Sequence, residues 1–316
     1  GSEMCIRDRV KAAARNIIFG YIGNLTTQLL GFVLRTIFIR HLGQTLNGVN
    51  ALYTGILSVL SMAELGIGTA LNYSLYKPVI HKDYEKIKSY MLLYKKAYRI
   101  IGFVVAGIGL VIVPFLPYLV KQPEGVTLRD LTLYYLIFLF NTVSSYFVAY
   151  KYSLVNAEQK NYIQTNIITV TKMITVTLQI IVILTTCNFY AYLLTAATVE
   201  LLQKIFVSRY LNNMYPYLRE KDIKPLTKEE VGEVVKKTKA LVLHKVGDVA
   251  RLQTDAMIIS GFINVTLSGI VDNYNLVISS VSNFVSIIFN SVLSSFGNLI
   301  ATESRQKQYE IFKVYR

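Results

Sequence analysis

The segment HKVGDVARLQTDAMIISG (His244–Gly261) carries Asp248, Arg251 and Asp255 at spacings of three and four, which puts them on one face of a helix. The apolar run that follows, Ala256 to Val271, is shorter than the roughly 20 residues that cross a bilayer. Either this helix stops short of spanning or it takes charge into the membrane. Charges recur inside other apolar runs: Arg35 in LLGFVLRTIFIRHLG, Glu64 in SMAELGIGTAL, Lys172 in TVTKMITVT, and Glu200 with Lys204 in VELLQK. An ionisable group at bilayer depth costs about 2.5–3.5 kcal/mol on insertion scales, so each needs a partner or a function. Glu200 precedes Lys204 by four residues and reads as an intrahelical pair. Lys172, among Thr169, Thr171 and Thr175, either snorkels or faces a wet cavity. Arg35 has no partner on its own helix, so it faces an acid elsewhere, Glu64 being one candidate, or a polar cavity. The Asp248–Arg251–Asp255 ladder either neutralises itself or points inward.

The elements that carry these residues follow from composition. The chain is 53% hydrophobic with 16% charged residues, against the quarter usual in soluble domains, and its mean hydropathy is +0.42. It reads as an all-α polytopic membrane protein with eight spans, at 16–40, 47–75, 98–120, 129–154, 162–186, 189–212, 247–271 and 273–301. The last of these is rich in Asn, including Asn273 and Asn275, which suit interhelical hydrogen bonds or a polar cavity. The net charge of +14 does not point to nucleic acid, because Lys and Arg are spread over alternate loops. Even-numbered connections are rich in them (Lys77 to Arg99, Lys151 and Lys160, Arg209 to Lys245). Odd ones hold only Arg40, Lys121 and Arg129. The positive-inside rule then places the N-terminus in the cytoplasm.

Two of the basic connections are amphipathic: Ile80, Tyr84, Ile87, Met91, Tyr94 and Tyr98 keep a helical period, as do Val231, Val234, Val235, Thr238, Leu241 and Val242. Each lies on anionic headgroups or packs on the bundle as an extension. Cys5 and Cys187 are too few and too far apart for a disulfide framework. MCIRDR resembles a sequencing-adapter remnant, so residues 1–9 are read as a non-native leader.

The sequence aligns with itself at an offset of 221: TLNGVNALYTGILSVLS (Thr45–Ser61) lies over TLSGIVDNYNLVISSVS (Thr266–Ser282). Six spans separate the two stretches. That number is even, so the repeats share an orientation and imply two lobes related by an axis along the membrane normal. The expected organisation is a first lobe over 10–213, a linker over 214–243, the first two helices of a second lobe over 244–302 and a tail over 303–316.

No enzyme motif is present. His41, His81 and His244 have no metal-ligand spacing, and GxSxG, Walker A and Rossmann patterns are absent. A cofactor is not expected. A small-molecule exporter and, more weakly, a membrane enzyme of polysaccharide polymerisation or ligation are the other functions weighed.

RTIFIRHLGQTLNGVNALYTGILSVLSMAELGIGTALNYSLYKPV, followed by a basic segment and YKKAYRIIG, resembles the Wzx-type flippases of Gram-positive bacteria. These form part of the polysaccharide-transporter branch of the multidrug/oligosaccharidyl-lipid/polysaccharide exporter superfamily. The resemblance continues through HKVGDVARLQTDAMIIS, DNYNLVI and SSFGNLIATES. It departs at Val271, where the family more often has an aromatic, and at Gln28, where the related lipid II flippases carry a cavity arginine. It implies a non-enzymatic carrier in the bacterial plasma membrane that flips undecaprenyl-pyrophosphate-linked oligosaccharide by alternating access, and a chain that ends within its second lobe. Its partners would be that lipid-linked substrate, the bilayer and polysaccharide-assembly proteins. Arg35, Arg251 and Lys172 are the candidates for holding pyrophosphate. Glu64, Asp248, Asp255, Asn273 and Asn275 are candidates for cavity or coupling roles.

Overall fold

The computed structural model describes the backbone of residues 2–61, 64–120, 125–158, 160–220 and 223–302, and their side chains apart from 2–17, 65–66, 69, 237, 240, 242–253 and 284–302. Every regular element among them is helical. The helix α1 (Ser2–Leu60) is broken at Gly43, whose φ of 85° and ψ of 165° favour glycine. An unbroken helix would hold Arg35 and Asn47 about 18 Å apart, yet their side chains hydrogen-bond directly. The chain therefore folds back at Gly43, and α1 is two helical segments. The expected span 47–75 is divided between the end of α1 and α2 (Glu64–Ile80).

The helix α3 (Tyr84–Ile112) begins well before the expected residue 98, because Asp83 caps it by accepting from the Lys86 amide at 3.0 Å. Pro114 and Pro117 then turn the chain through a 3-10 turn (Val113–Phe115) into the short α4 (Leu116–Leu119). Capping boxes start α5 (Leu128–Ala157), from Thr127 and Asp130, and α8 (Lys228–Phe262), from Thr227 and Glu230. Between them run α6 (Asn161–Thr186) and α7 (Phe189–Met214). The last break falls at Ile263–Asn264 instead of near Asp272, so Val265–Val271 belongs to α9 (Val265–Thr302), whose Leu267 amide donates to the Asn264 side chain at 2.7 Å. One continuous helix, α8, therefore carries Asp248, Arg251 and Asp255.

Five helical stretches among the residues searched are long and apolar enough to cross a membrane: Ile18–Leu60, Tyr84–Leu119, Leu128–Ala157, Asn161–Thr186 and Phe189–Met214. The protein is a polytopic helical membrane protein. It forms two compact units, Gly1–Val271 and Asp272–Arg316.

Within the first unit the even-numbered connections meet at one end. Lys86 pairs with Glu230, Lys88 with Glu85 and Glu220, and Tyr215 donates to Glu158 at 2.8 Å. Burial, together with that hydrogen bond, pushes the Tyr215 hydroxyl up, so it stays a donor. The odd connections meet elsewhere, with Tyr190 donating to Asp130 at 2.5 Å and Ser260 to the Leu119 carbonyl at 3.2 Å. Helices α3, α5 and α7 therefore run in an order consistent with successive crossings.

The core is a tyrosine-rich seam. Tyr53 donates to the Leu131 carbonyl at 2.9 Å and Tyr135 to the Gly109 carbonyl at 3.1 Å, which removes two phenol groups from apolar surroundings at no polar cost. On α3 one face (Ile87, Met91, Tyr94, Tyr98, Val105) is buried. The opposite face (Ile100, Phe103, Val104, Ile108, Val111) is exposed and apolar, as a lipid-facing surface must be. The amphipathic start of α3 thus packs on the bundle, only Ile80 and Tyr84 of its apolar set being exposed. Val234 likewise buries the start of α8, which packs on α2.

The self-alignment has a physical counterpart. Thr45 and Thr266, equated by the offset of 221, hydrogen-bond each other at 3.1 Å. Gly48 and Gly269, also equated, cross backbone to backbone. A Cβ on Gly269 would lie 2.6 Å from the Gly48 amide nitrogen, and one on Gly48 would overlap the Val265 carbonyl.

Gly48→Leu is expected to force this crossing apart and cost about 1–3 kcal/mol, seen as a lower Tm, whereas Gly107→Leu, with open space around it, leaves Tm within a degree or two. The Lys86 contact, with the Thr227 amide, holds the Glu230 carboxyl below the usual glutamate value of 4.5. A depressed folded pKa means that this contact contributes fully above 4.5 and is lost as pH falls through the lowered value. Amide protection factors at the start of α8, taken relative to the intrinsic exchange rate at each pH, are therefore expected to fall on acidification below pH 4.5, and Glu230→Gln to remove that dependence.

Candidate functional site

The intramembrane charges are placed by the packing of α1, α5, α6 and α7 against one another. Arg35 donates to the Asn47 Oδ1 across the Gly43 break. Asn47 is 2% exposed and donates in turn to the Gly269 carbonyl at 2.9 Å. Lys172, near the middle of α6, has Glu200 of α7 and Arg35 of α1 as its charged neighbours. Glu200 accepts from Asn141 Nδ2 at 2.7 Å. Lys204 donates to the Asn141 Oδ1 at 2.6 Å, the Asn141 carbonyl at 2.8 Å and Ser144 Oγ at 2.9 Å. Glu200 and Lys204 are thus joined through Asn141 of α5 and do not form the direct intrahelical pair that their spacing suggested.

Among the described residues, Arg35, Lys172 and Lys204 bring cationic groups to this region and Glu200 a carboxylate. Charge–charge interactions strengthen as water is excluded. Tyr192 completes this region: its ring lies edge-on to Phe38 and stacked on Phe189, its carbonyl accepts from Gln179 at 3.3 Å, and it feels the Arg35 charge.

The remaining candidates lie elsewhere. Glu64 has a tyrosine-lined setting. It faces Tyr98 and Tyr146, and Tyr146 donates to Ser61 at 2.8 Å. Asp255 is exposed. The side chains of Asp248 and Arg251 lie outside the described residues, so the ladder is placed only as helix. Asn273, half-buried, and Asn275, exposed, belong to the second unit. No group of three or more His, Cys, Asp or Glu among the described residues is placed to hold a metal ion.

Three polar residues that matter were not singled out by pattern. Asn47 was legible only as one letter of the repeat. Asn141 was a lone amide in LIFLFNTVSSYF, and that isolation within an apolar run was its signal. Lys151 read as a loop cation, yet it is 8% exposed and donates to the Ser208 carbonyl at 3.2 Å and to Ser208 Oγ and Asn212 Oδ1 at 2.8 Å each.

Compared with solved structures, the chain aligns with a MATE in complex with MaD3S at a TM-score of 0.55 and 16% identity, over 80% of this chain and 58% of that one. The fold is similar to that of MATE transporters. A second structure, a MATE in the bent conformation, aligns at 0.53 and 16% identity, over 80% of this chain and 57% of the other. This chain therefore spans a little over half the length of the transporters it matches. No protein-family model matches it, and neither does any curated protein.

Asn141→Leu would leave the Glu200 carboxylate and the Lys204 ammonium without their bridge. A loss of about 3 kcal/mol is expected, read as a clear drop in Tm, with Asn141→Gln losing distinctly less.

Proposed function

We propose that the protein from which this chain comes is an exporter of the multidrug/oligosaccharidyl-lipid/polysaccharide superfamily. In this reading it flips undecaprenyl-pyrophosphate-linked oligosaccharide across the bacterial plasma membrane, with its N-terminus in the cytoplasm. The fold likeness to MATE transporters supports the superfamily. The observation that supports the finer reading is that cationic side chains from α1 and α6, Arg35 and Lys172, share one neighbourhood. A pyrophosphate needs cations that converge from separate helices, because its charge is spread over several oxygens. The polyprenyl tail would remain in lipid, and the sugar would be met by polar groups such as Asn141 and Gln179. Arg251 joins Arg35 and Lys172 in this proposal. Asp248, Asp255, Asn273 and Asn275 are proposed as polar or coupling positions along the route.

A second reading, export of a cationic small molecule, draws on Glu64, a carboxylate set against the aromatic Tyr98 and Tyr146. An acid lined by aromatic rings suits a cation.

The two readings separate in a flippase-null strain carrying the full-length protein. Each charge-assisted contact to phosphate is worth about 1.5–3 kcal/mol. Arg35→Ala and Lys172→Ala are therefore each expected to cut polysaccharide export at least tenfold at equal protein level in the membrane, with Glu64→Gln near wild type. Export unchanged in both alanine variants would sink the pyrophosphate reading. Resistance to cationic compounds that is lost on Glu64→Gln alone would favour the second.

A further inference from the structure

A cavity of about 450 Å³ lies at the end of the bundle where the even-numbered connections meet. Its walls are the start of α3 (Lys88, Lys95), the end of α5 (Tyr150, Lys151) and the segment after α7 (Arg219, Glu220). We propose that it binds a phosphate-bearing anion at the membrane surface, at a site separate from the Arg35–Lys172 group.

The argument is an inventory of charge. Lys88, 4% exposed, is neutralised by Glu85 and by Glu220 at 2.7 Å. The other three cations have no carboxylate within ion-pair distance among the described residues. Lys151 is almost fully buried, and its three donors meet only neutral oxygens, two on Ser208 and one on Asn212. Lys95 lines the same cavity. Among the described residues, Arg219 hydrogen-bonds the Asn213 amide oxygen. Burying an ammonium beside a second cation, with no counter-charge, is unfavourable unless an anion arrives to offset it.

The chemistry of that anion follows from the lining. Two ammonium groups and a guanidinium fork match the several oxygens of a phosphate better than a single carboxylate. The volume accommodates a headgroup or a small metabolite and is too small for a peptide helix. Apolar side chains on the same walls suit a group that carries a hydrocarbon neighbour. The positive-inside pattern puts this end at the leaflet where anionic headgroups are enriched. The shared chemistry is a phosphate, supplied either by a lipid headgroup or by a soluble phosphate compound.

The site also bears on mechanics. It joins α3, α5 and α7 to the segment that leads into α8. That segment is already anchored by Ser89, which donates to the Lys224 carbonyl at 2.5 Å. An anion bridging Lys95, Lys151 and Arg219 would brace this segment against the bundle.

The test uses the purified full chain with two probes, inorganic phosphate in detergent and nanodiscs containing either phosphatidylglycerol or only phosphatidylcholine. Binding is read by native mass spectrometry of retained lipid and by the shift in Tm. One probe is expected to stabilise the wild type, and Lys95→Gln with Arg219→Gln to weaken its apparent affinity at least tenfold. The charge-matched control Lys96→Gln with Lys228→Gln, exposed and outside the cavity, should stay within twofold. Stabilisation by phosphatidylglycerol alone assigns a lipid headgroup, and stabilisation by inorganic phosphate assigns a soluble compound. If neither probe binds, or if the control pair weakens binding as much as the cavity pair, the proposal is wrong.

Discussion

Asn47 is the residue on which the geometry of the first unit turns. It accepts from Arg35 and donates to the Gly269 carbonyl at 2.9 Å, and it does both at 2% exposure. The first bond holds the two halves of α1 together across Gly43. The second ties them to the start of α9. Neither donor could be left unmet in apolar surroundings without a cost of order 1–3 kcal/mol, more for the charged one. The crossing of Gly48 over Gly269 lets the backbones approach closely enough for that second bond.

The same accounting explains how charge is tolerated deeper in the bundle. Asn141 separates Glu200 from Lys204 and satisfies both, while Ser144 takes another of the lysine's protons. Amides and hydroxyls thus satisfy both charges where a direct ion pair would otherwise do so.

Likeness to MATE transporters over 80% of the chain at 16% identity fits a fold held by packing and backbone constraints more than by particular side chains. Tyr53, Tyr135 and Tyr146 fill the seam and find oxygen partners. A scaffold so determined tolerates different polar residues within it.

Much of the architecture was legible in the amino-acid order. The long apolar runs marked a polytopic helical protein, because lipid leaves backbone groups no other partners. The 221-residue offset proved to equate residues that meet face to face. The break between α8 and α9 was misplaced at Asp272, because Asn264 is a weak stop signal inside an apolar run. What only the tertiary structure decided was which charges share a neighbourhood. Spacing along one helix suggested a Glu200–Lys204 pair and left Arg35 open to Glu64, yet helices α1, α5, α6 and α7 bring other residues nearer. Helical periodicity specifies the face a residue occupies on its own helix, and the partner it meets depends on packing between helices distant in sequence.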